Sequence, residues 1–181
     1  MHLLFRTVLH SVLAALRPPI TAYQVARTGF IVLPTDLDVF RHMNNGVYLS
    51  ILDLGRLALL RRSGIWAVFR RNGWYPVVVS ETISFRKSLQ LWQRFQVESR
   101  ILGFDDKAVY VEQRFVRRGE VYAQAFVRAR ILRRSGGVVR IPELLAQVPV
   151  PPADLRVPEW LLEWAEHTAL PSTRAEAPST W

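Results

Sequence analysis

A single helical segment followed by four consecutive strand-like segments constrains the fold of this chain more than any other feature. Residues 45–62 carry apolar side chains at spacings of three and four, which predicts a helix that ends at Ser63 and Gly64. The turns between the later segments contain glycine or aspartate and are typical of hairpins, so we expect antiparallel strands. These strands are predicted over residues 76–86, 91–102, 108–117 and 121–133.

The last of these strands has one face made of small side chains, namely Ala123, Ala125, Val127, Ala129 and Ile131. Small residues allow another element to approach closely, and the helix over 45–62 is the only long central helix available. A first strand is predicted over 23–34, ahead of that helix. The sequence therefore predicts an α+β fold, in which a curved antiparallel sheet wraps around one long central helix.

The N-terminal segment is predicted to form a separate amphipathic helix. Arg6, His10 and Arg17 lie on its polar face, and two consecutive prolines stop it from residue 18 onward. Its apolar stretch is shorter than the ~20 residues that a membrane span needs. Three interpretations stay open: packing on the protein body, contact with a membrane surface through residues 1–17, or a targeting segment. The apolar face comprises Phe5, Val8, Leu9, Val12, Leu13 and Leu16.

A length of 181 residues fits one domain with short extensions. Prolines near residue 150 mark a linker, and a short helix is predicted over 158–167, with Trp160 and Trp164 docking on the body. The tail over 171–181 has the composition of a disordered segment. We therefore divide the chain into an N-terminal helix, a main domain and a C-terminal region, over residues 1–20, 21–145 and 146–181.

Charge and composition exclude several classes of function. The chain has no cysteine, which excludes disulfide scaffolds, thiol nucleophiles and thiolate metal sites, and its four histidines are too scattered to suggest a metal site. The net charge is +9, which fits polyanionic partners such as nucleic acid, anionic lipid or a phosphate-bearing ligand, and fits equally an ordinary solvated surface rich in arginine. Because the arginines are dispersed and no nucleic-acid-binding motif is present, we expect no nucleic-acid partner.

The densest group of polar residues lies between the first strand and the central helix. Free backbone N–H groups at a helix N-terminus can polarise a carbonyl oxygen, and a nearby aspartate can activate water or attack a carbonyl carbon. Aspartate and asparagine are also the preferred capping and turn residues, so the pattern alone leaves catalysis and capping both open. The group comprises Asp36, Asp38, Arg41, His42, Asn44 and Asn45.

The segment over 36–48, DLDVFRHMNNGVY, resembles the signature D-x-D-x-x-G-H-x-N-N-x-x-Y of hotdog-fold acyl thioesterases of the 4-hydroxybenzoyl-CoA thioesterase type. The similarity continues over about residues 28–165 and is nearest to the group of thioesterase superfamily member six and its bacterial relatives. The resemblance implies a hotdog domain that hydrolyses fatty or aromatic acyl thioesters of coenzyme A or acyl carrier protein. It also implies a homodimer or a dimer of dimers, and no cofactor beyond the coenzyme A of the substrate.

The resemblance also implies roles for individual residues. Asp38 matches the catalytic carboxylate, which acts either as nucleophile or as general base, and the backbone N–H that polarises the thioester carbonyl falls near Asn45. His42 matches a histidine implicated in the plant enzymes, and Tyr48 matches an aromatic residue that we interpret as packing at the substrate site. Asp36 is expected to accept hydrogen bonds that hold the loop.

Two residues depart from the signature: Arg41 replaces the usual glycine, and Phe40 replaces an asparagine of the plant loop. These departures support an alternative function, an acyl-CoA or lipid-binding protein with little or no turnover. Arg86 and Lys87, at the end of a predicted strand, are the candidates to bind the phosphates of coenzyme A, with ordinary surface charge as the alternative. The expected location is the cytoplasm, peripherally at a membrane if the N-terminal helix makes that contact. Four aromatic residues are predicted to line an acyl pocket or to fill the core: Trp66, Phe69, Trp74 and Tyr75.

Overall fold

The computed structural model describes residues 2–172 and 175–179, without the side chains of residues 2–5, 11 and 15. The predicted apolar position Phe5 and part of the predicted disordered tail therefore lie outside what it describes. In chain order the helices and strands are α1 (His2–Leu16), β1 (Ala26–Ile31), α2 (Asn45–Arg62), α3 (Ile65–Asn72), β2 (Trp74–Phe85), β3 (Arg94–Phe104), β4 (Val109–Arg117), β5 (Glu120–Arg133), α4 (Ile141–Leu145) and α5 (Glu159–His167).

The five strands form one antiparallel sheet with the order β1-β3-β4-β5-β2. The predicted α+β class is confirmed, and the sheet is open, with β1 and β2 at its edges. Strand β1 is shorter than the predicted segment over 23–34 because a turn closes before it and Pro34 begins a 3-10 turn after it. Helix α4 was not predicted, because the prolines around it indicated a linker. Pro142 occupies its first turn, where the missing N–H does no harm.

Helix α2 packs on the face of the sheet that carries the small side chains. Its bounds agree with the prediction, and Ala123, Ala125 and Val127 of β5 are buried as expected. The sequence did not indicate where the helix and sheet approach most closely. At Gly55 an added Cβ would lie 2.9 Å from Gln113 Nε2 and 2.9 Å from Val97 Cγ1. A larger residue at this position of α2 would push the helix away from β3 and β4.

Helix α5 packs on the opposite face of the sheet. Leu161 and Ala165 are buried there beside Ala108 and Tyr110. The predicted docking of the tryptophans is confirmed in part: Trp160 contacts Phe126 edge-on at 5.0 Å between ring centroids, but about half of it stays exposed. The smaller Leu161 and Ala165, rather than the tryptophans, form the buried core of this contact.

Helix α1 packs beside α2, so packing on the protein body, one of the three interpretations of this segment, is observed. Arg6 and Ala14 are its buried side chains among those described. The His10 ring lies 4.2 Å from that of Phe30, between centroids. Among the described residues, no helix combines the length and the apolar character that crossing a bilayer requires.

Candidate active site

The loop between β1 and α2 folds into a tight turn that presents two apolar side chains to solvent. The backbone N–H of Asp38 donates to the carbonyl oxygen of His42 at 2.8 Å, and that of Arg41 donates to the carbonyl oxygen of Asp38 at 3.0 Å. Val39 and Phe40 at the tip are largely exposed. Arg41 has φ of 61°, in the left-handed region that glycine adopts most easily, at the position where the family signature has glycine.

The carboxylate of Asp38 is held by the turn through one of its two oxygens. Oδ1 accepts hydrogen bonds from the backbone N–H groups of Phe40 at 2.9 Å and His42 at 3.2 Å. Within residues 2–172 and 175–179, Oδ2 accepts no hydrogen bond. The loop therefore fixes the orientation of this carboxylate while it leaves one oxygen available to a proton donor or an electrophile.

The N-terminus of α2 offers one backbone N–H to a ligand. Asn44 caps the helix: its Oδ1 accepts from the N–H of Gly46 at 2.8 Å, and its carbonyl oxygen accepts from that of Val47 at 2.9 Å. The intervening N–H of Asn45 has no acceptor among the described residues. An unpaired N–H at the positive end of an 18-residue helix is suited to stabilise an oxyanion.

Asp36 anchors the loop, as expected, but its partner could not be foreseen. Its side chain is fully buried, and its Oδ1 accepts from Arg6 of α1 at 2.9 Å. Its Oδ2 accepts from the N–H of Leu33 at 2.8 Å, and its carbonyl oxygen accepts from the N–H of Asn44 at 2.8 Å. Arg6 also donates to the carbonyl oxygen of Ile31 at 2.7 Å. One buried ion pair thus connects the N-terminal helix to the turn between β1 and α2.

The other two predicted motif residues have different surroundings. The backbone of His42 bridges to Gln90, and its imidazole is exposed, without a hydrogen bond to any described residue. Tyr48 is buried against Phe115 and Phe85, and its hydroxyl accepts from the N–H of Leu89 at 3.0 Å. Burial raises the pKa of Tyr48, although the hydrogen bond from Leu89 works in the other direction. Packing is what the structure records for Tyr48, and a substrate contact stays a prediction.

Arg86 and Lys87 lie together just after β2, and both contact the same carboxylate. Glu120 Oε1 accepts from Arg86 Nη1 at 2.8 Å and from Lys87 Nζ at 2.8 Å. Hydrogen bonds from Lys87 and then Arg86 lower the pKa of Glu120, which keeps it ionised. A phosphate that binds this pair would therefore compete with Glu120.

Sequence reasoning missed a polar network between α2 and the middle of the sheet. Gln113 is fully buried and bonds to Arg56 at 2.8 Å and to Ser99 at 2.8 Å. Glu81 of β2 lies 3.8 Å from Arg56. Burial raises the pKa of Glu81, and the negative charge of Asp53 raises it further. The positive charge of Arg56 lowers it, but by less than burial raises it. The sequence signal that could have indicated this network is Glu81, the one charged residue in the segment over 77–83.

A small apolar cavity of about 80 Å³ lies beyond this network, between the sheet and the helices α2 and α3. Leu59, Phe69 and Ile131 are among its lining residues, and Arg56 borders it. Arg56 is about 16 Å along α2 from Asn45, from the rise of an α-helix. Phe69 and Trp74 therefore belong to the core at the end of α2 remote from the loop. Within the described residues, no three histidine or acidic side chains are grouped as a metal site.

Known proteins resemble this chain in sequence and in fold. The family model described as "Thioesterase-like superfamily" matches residues 32–165. Protein THEM6 of Xenopus laevis is 41% identical over 117 residues, 65% of this chain, which spans about half (55%) of that relative's length. Protein THEM6 of Danio rerio is 33% identical over 148 residues, 82% of this chain and 72% of that protein. The crystal structure of the YbaW probable thioesterase from Escherichia coli superposes with a TM-score of 0.63 at 23% identity, covering 67% of this chain and 94% of that one.

Proposed function

Because the chain belongs to the thioesterase-like superfamily, we propose that it is a thioester hydrolase acting on fatty or aromatic acyl-CoA or acyl-carrier-protein substrates. We place the reaction at Asp38 and the backbone N–H of Asn45. The observation that carries the proposal is the pairing of an oriented carboxylate with one free oxygen and an unpaired helix N-terminal N–H, on the two sides of one loop. The hydrogen bond from Asn44 to the carbonyl oxygen of Asp36 closes that loop.

In this proposal the N–H of Asn45 donates to the thioester carbonyl oxygen and stabilises the negative charge that develops there. Asp38 Oδ2 then acts in one of two ways. As general base it takes a proton from water, whose oxygen attacks the carbonyl carbon; the C–S bond breaks and the thiolate leaves with a proton. As nucleophile it attacks that carbon directly and expels the thiolate, and water hydrolyses the resulting anhydride. The exposed imidazole of His42 lies on the same turn and is positioned to orient the substrate or carry a proton.

The first test is thiol release from a panel of short, long and aromatic acyl-CoAs by the wild type and Asp38→Asn. We expect kcat to fall about 100-fold or more, because amide nitrogen and oxygen are neither base nor nucleophile here. Asp106→Asn is the matched control, since Asp106 is an exposed aspartate in another turn, and its activity should equal that of the wild type. A folded Asp38→Asn enzyme with wild-type turnover would contradict the assignment of Asp38.

We further propose that Arg86 and Lys87 bind the phosphates of coenzyme A. Their contact with Glu120 makes the proposal testable in both directions. Replacing both by alanine should raise KM for acyl-CoA. It should leave KM unchanged for the matching acyl-pantetheine, because that substrate lacks the nucleotide phosphates. Glu120→Gln should lower KM for acyl-CoA, because it removes the competing carboxylate. Equal changes in KM for both substrates would show that Arg86 and Lys87 do not bind the phosphates and are ordinary surface charges.

We also propose that the protein is a homodimer that associates through β2. This strand is 12 residues long, lies at a sheet edge and exposes Tyr75, Val78, Val79 and Phe85. A long apolar edge strand is a liability unless another chain covers it. Light scattering should give the mass of two chains for the wild type and of one for Val79→Lys, with Val150→Lys in the exposed linker as control. A monomeric wild type would contradict the proposal; a dimer of dimers would appear as four chains.

A second candidate function is an acyl-CoA or lipid-binding protein with little turnover. It is favoured by the two departures in the turn, since Arg41 has a left-handed backbone where glycine is usual and Phe40 exposes its ring. This function predicts saturable acyl-CoA binding by the wild type without thiol release. Arg41→Gly combined with Phe40→Asn should then create measurable hydrolysis. Hydrolysis by the wild type would exclude this function.

A further inference from the structure

Helix α1 is docked through one flank and leaves its apolar face in solvent. Among its described side chains, the buried ones are Arg6, which reaches Asp36, and Ala14. Five apolar side chains on the remaining surface are between 38% and 77% exposed. Apolar side chains gathered on one exposed helix face indicate a partner rather than scattered surface residues. They are Val8, Leu9, Val12, Leu13 and Leu16.

Arginines border this face near its middle. A groove of about 630 Å³ runs beside α1, with Leu9 and His10 on its wall and Arg94, Arg117 and Arg118 among its other lining residues. Arg117 donates to the Tyr122 hydroxyl at 3.2 Å. Arg94 and Arg118 have no carboxylate partner within the described part of the chain. Their charges are therefore available to an anion.

A second group of arginines borders the C-terminal end of α1. Arg17, Arg27 and Arg62 line another groove of about 630 Å³. Arg17 donates to the carbonyl oxygen of Arg27 at 2.8 Å, so the group is held together. Arg27 also pairs with Glu98, which lies outside this groove. No acidic side chain is among the described residues that line either groove, and the chain has no acidic residue before Asp36.

We propose that α1 and these arginines form a surface that binds anionic phospholipid bilayers. The exposed leucines and valines would enter the acyl region, and the guanidinium groups would contact lipid phosphates, which their planar donor pattern fits well. A second copy of the chain fits poorly, because a two-fold interface would place each arginine group against the same patch of its partner. Nucleic acid offers phosphates but no apolar layer for the exposed leucines and valines.

The test is co-flotation of the full chain with phosphatidylcholine vesicles and with vesicles that contain phosphatidylglycerol. Two double variants test the apolar and the cationic parts of the surface separately. Val12→Gln with Leu16→Gln removes apolar side chains, and Arg94→Ser with Arg118→Asn removes cations. The control, Lys107→Ser with Arg156→Ser, removes the same charge on the side of the sheet that carries α5. All six positions are exposed, so the fold is expected to be kept.

We expect the wild type to prefer the anionic vesicles, with affinity falling as salt is added. Each α1-side variant should bind on the order of tenfold more weakly, because one loses apolar side chains that enter the acyl region and the other loses two cations that face the lipid phosphates. The control should change affinity about twofold at most. The proposal is overturned if the wild type binds neither vesicle, or if the control loses as much affinity as the arginine variant. It is also overturned if Val12→Gln with Leu16→Gln changes the oligomeric mass, which would assign the face to a second copy. None of these readouts depends on hydrolysis.

Discussion

Helix α1 is attached to the body through a buried ion pair and keeps apolar side chains in solvent, whereas α5 buries Leu161 and Ala165 and exposes its acidic side chains. The contact of α1 depends on Arg6 and Asp36, which lie 30 residues apart in the chain. The contact of α5 depends on Leu161 and Ala165, while Glu163 and Glu166 face solvent. Both helices have an amphipathic sequence, so amphipathicity alone does not say which face is docked.

This difference shows that the residues on the surface beneath a peripheral helix decide which face of the helix is buried. The outer face of the sheet offers Tyr110 and Phe126, which suit an apolar helix face. The turn between β1 and α2 offers the buried carboxylate of Asp36, which needs a cation because an unpaired buried charge is costly. Arg6 supplies that cation, and the apolar face of α1 points elsewhere as a consequence.

The largest expected effect comes from removing the ion pair. Arg6→Leu leaves Asp36 buried without its cation, and breaking one partner of a buried pair costs about 3–5 kcal/mol of unfolding free energy. Urea unfolding measures this loss, and a double-mutant cycle with Asp36→Ala isolates the pair from the bond between Asp36 and Leu33. A loss below about 0.5 kcal/mol would place the attachment of α1 elsewhere.

Removing the apolar contact of α5 should cost less. Leu161→Ala leaves a cavity against Tyr110 and Ala108, and truncations of this kind cost about 2–5 kcal/mol. We expect the lower end of that range, because α5 is short and lies on the rim of the core. Leu170→Ala, at a position 90% exposed, is the matched control and should leave the urea midpoint unchanged. Equal midpoints for both variants would show that α5 is not held by Leu161.

The hydrogen-bonded cluster of Asp105, Tyr110 and Arg128, on the face of the sheet that carries α5, predicts that stability depends on pH. Burial acts to raise the pKa of Asp105, but hydrogen bonds from Lys107, Tyr110 and Arg128 outweigh it and lower the pKa. A lowered carboxyl pKa means that its stabilisation is present above the usual carboxyl range and is lost as pH falls through the lowered pKa. Burial and the contact with Asp105 raise the pKa of Tyr110 to about 12.

The stabilisation from Tyr110 is therefore present below pH of about 10 and is lost as pH rises towards about 12. Urea midpoints measured at both pH extremes test this expectation. Asp105→Asn should reduce the fall of the urea midpoint at acid pH. It should also reduce the fall at alkaline pH, since it removes the charge next to the Tyr110 hydroxyl. If the urea midpoint falls equally at acid pH in Asp105→Asn and in the wild type, other carboxylates cause that fall.

The smallest effect is expected at the exposed face of α1. Val12→Gln and Leu16→Gln change side chains that are mostly in solvent, so the free energy of unfolding should stay within about 0.5 kcal/mol of the wild type. Thermal and urea unfolding of the free protein check this. A loss above about 1 kcal/mol would mean that this face is already covered, and the contrast with α5 would disappear.

Much of the fold could be predicted because its signals are local. The apolar period of α2 and the small face of β5 lie within single elements, and both predictions are confirmed by the bounds and burial of those elements. The β1–α2 loop was also recognisable, because capping residues and the family signature are contiguous in the chain. The assignments of Asp38, His42 and Asn45 as catalytic groups stay predictions.

The contacts that distant residues make could not be predicted. The sequence assigns Arg6 only to a polar helix face, and nothing near it in the chain indicates Asp36. Nothing near Arg86 and Lys87 in the chain indicates Glu120, although it contacts both. Gly55 carried no signal of its own until Gln113 and Val97 were placed against it. In each case the partner is one of many chemically equivalent residues.

The sequence by itself determined that α1, α2, α5 and the five strands form, and that one helix lies against one antiparallel sheet. It did so because side-chain periodicity and backbone preferences act within a few residues and do not depend on where the rest of the chain goes. Only the tertiary structure decided which of 24 cations meets Asp36, and which face of α1 is left in solvent. Those choices depend on distances and burial across the folded chain, where a buried charge must find a partner.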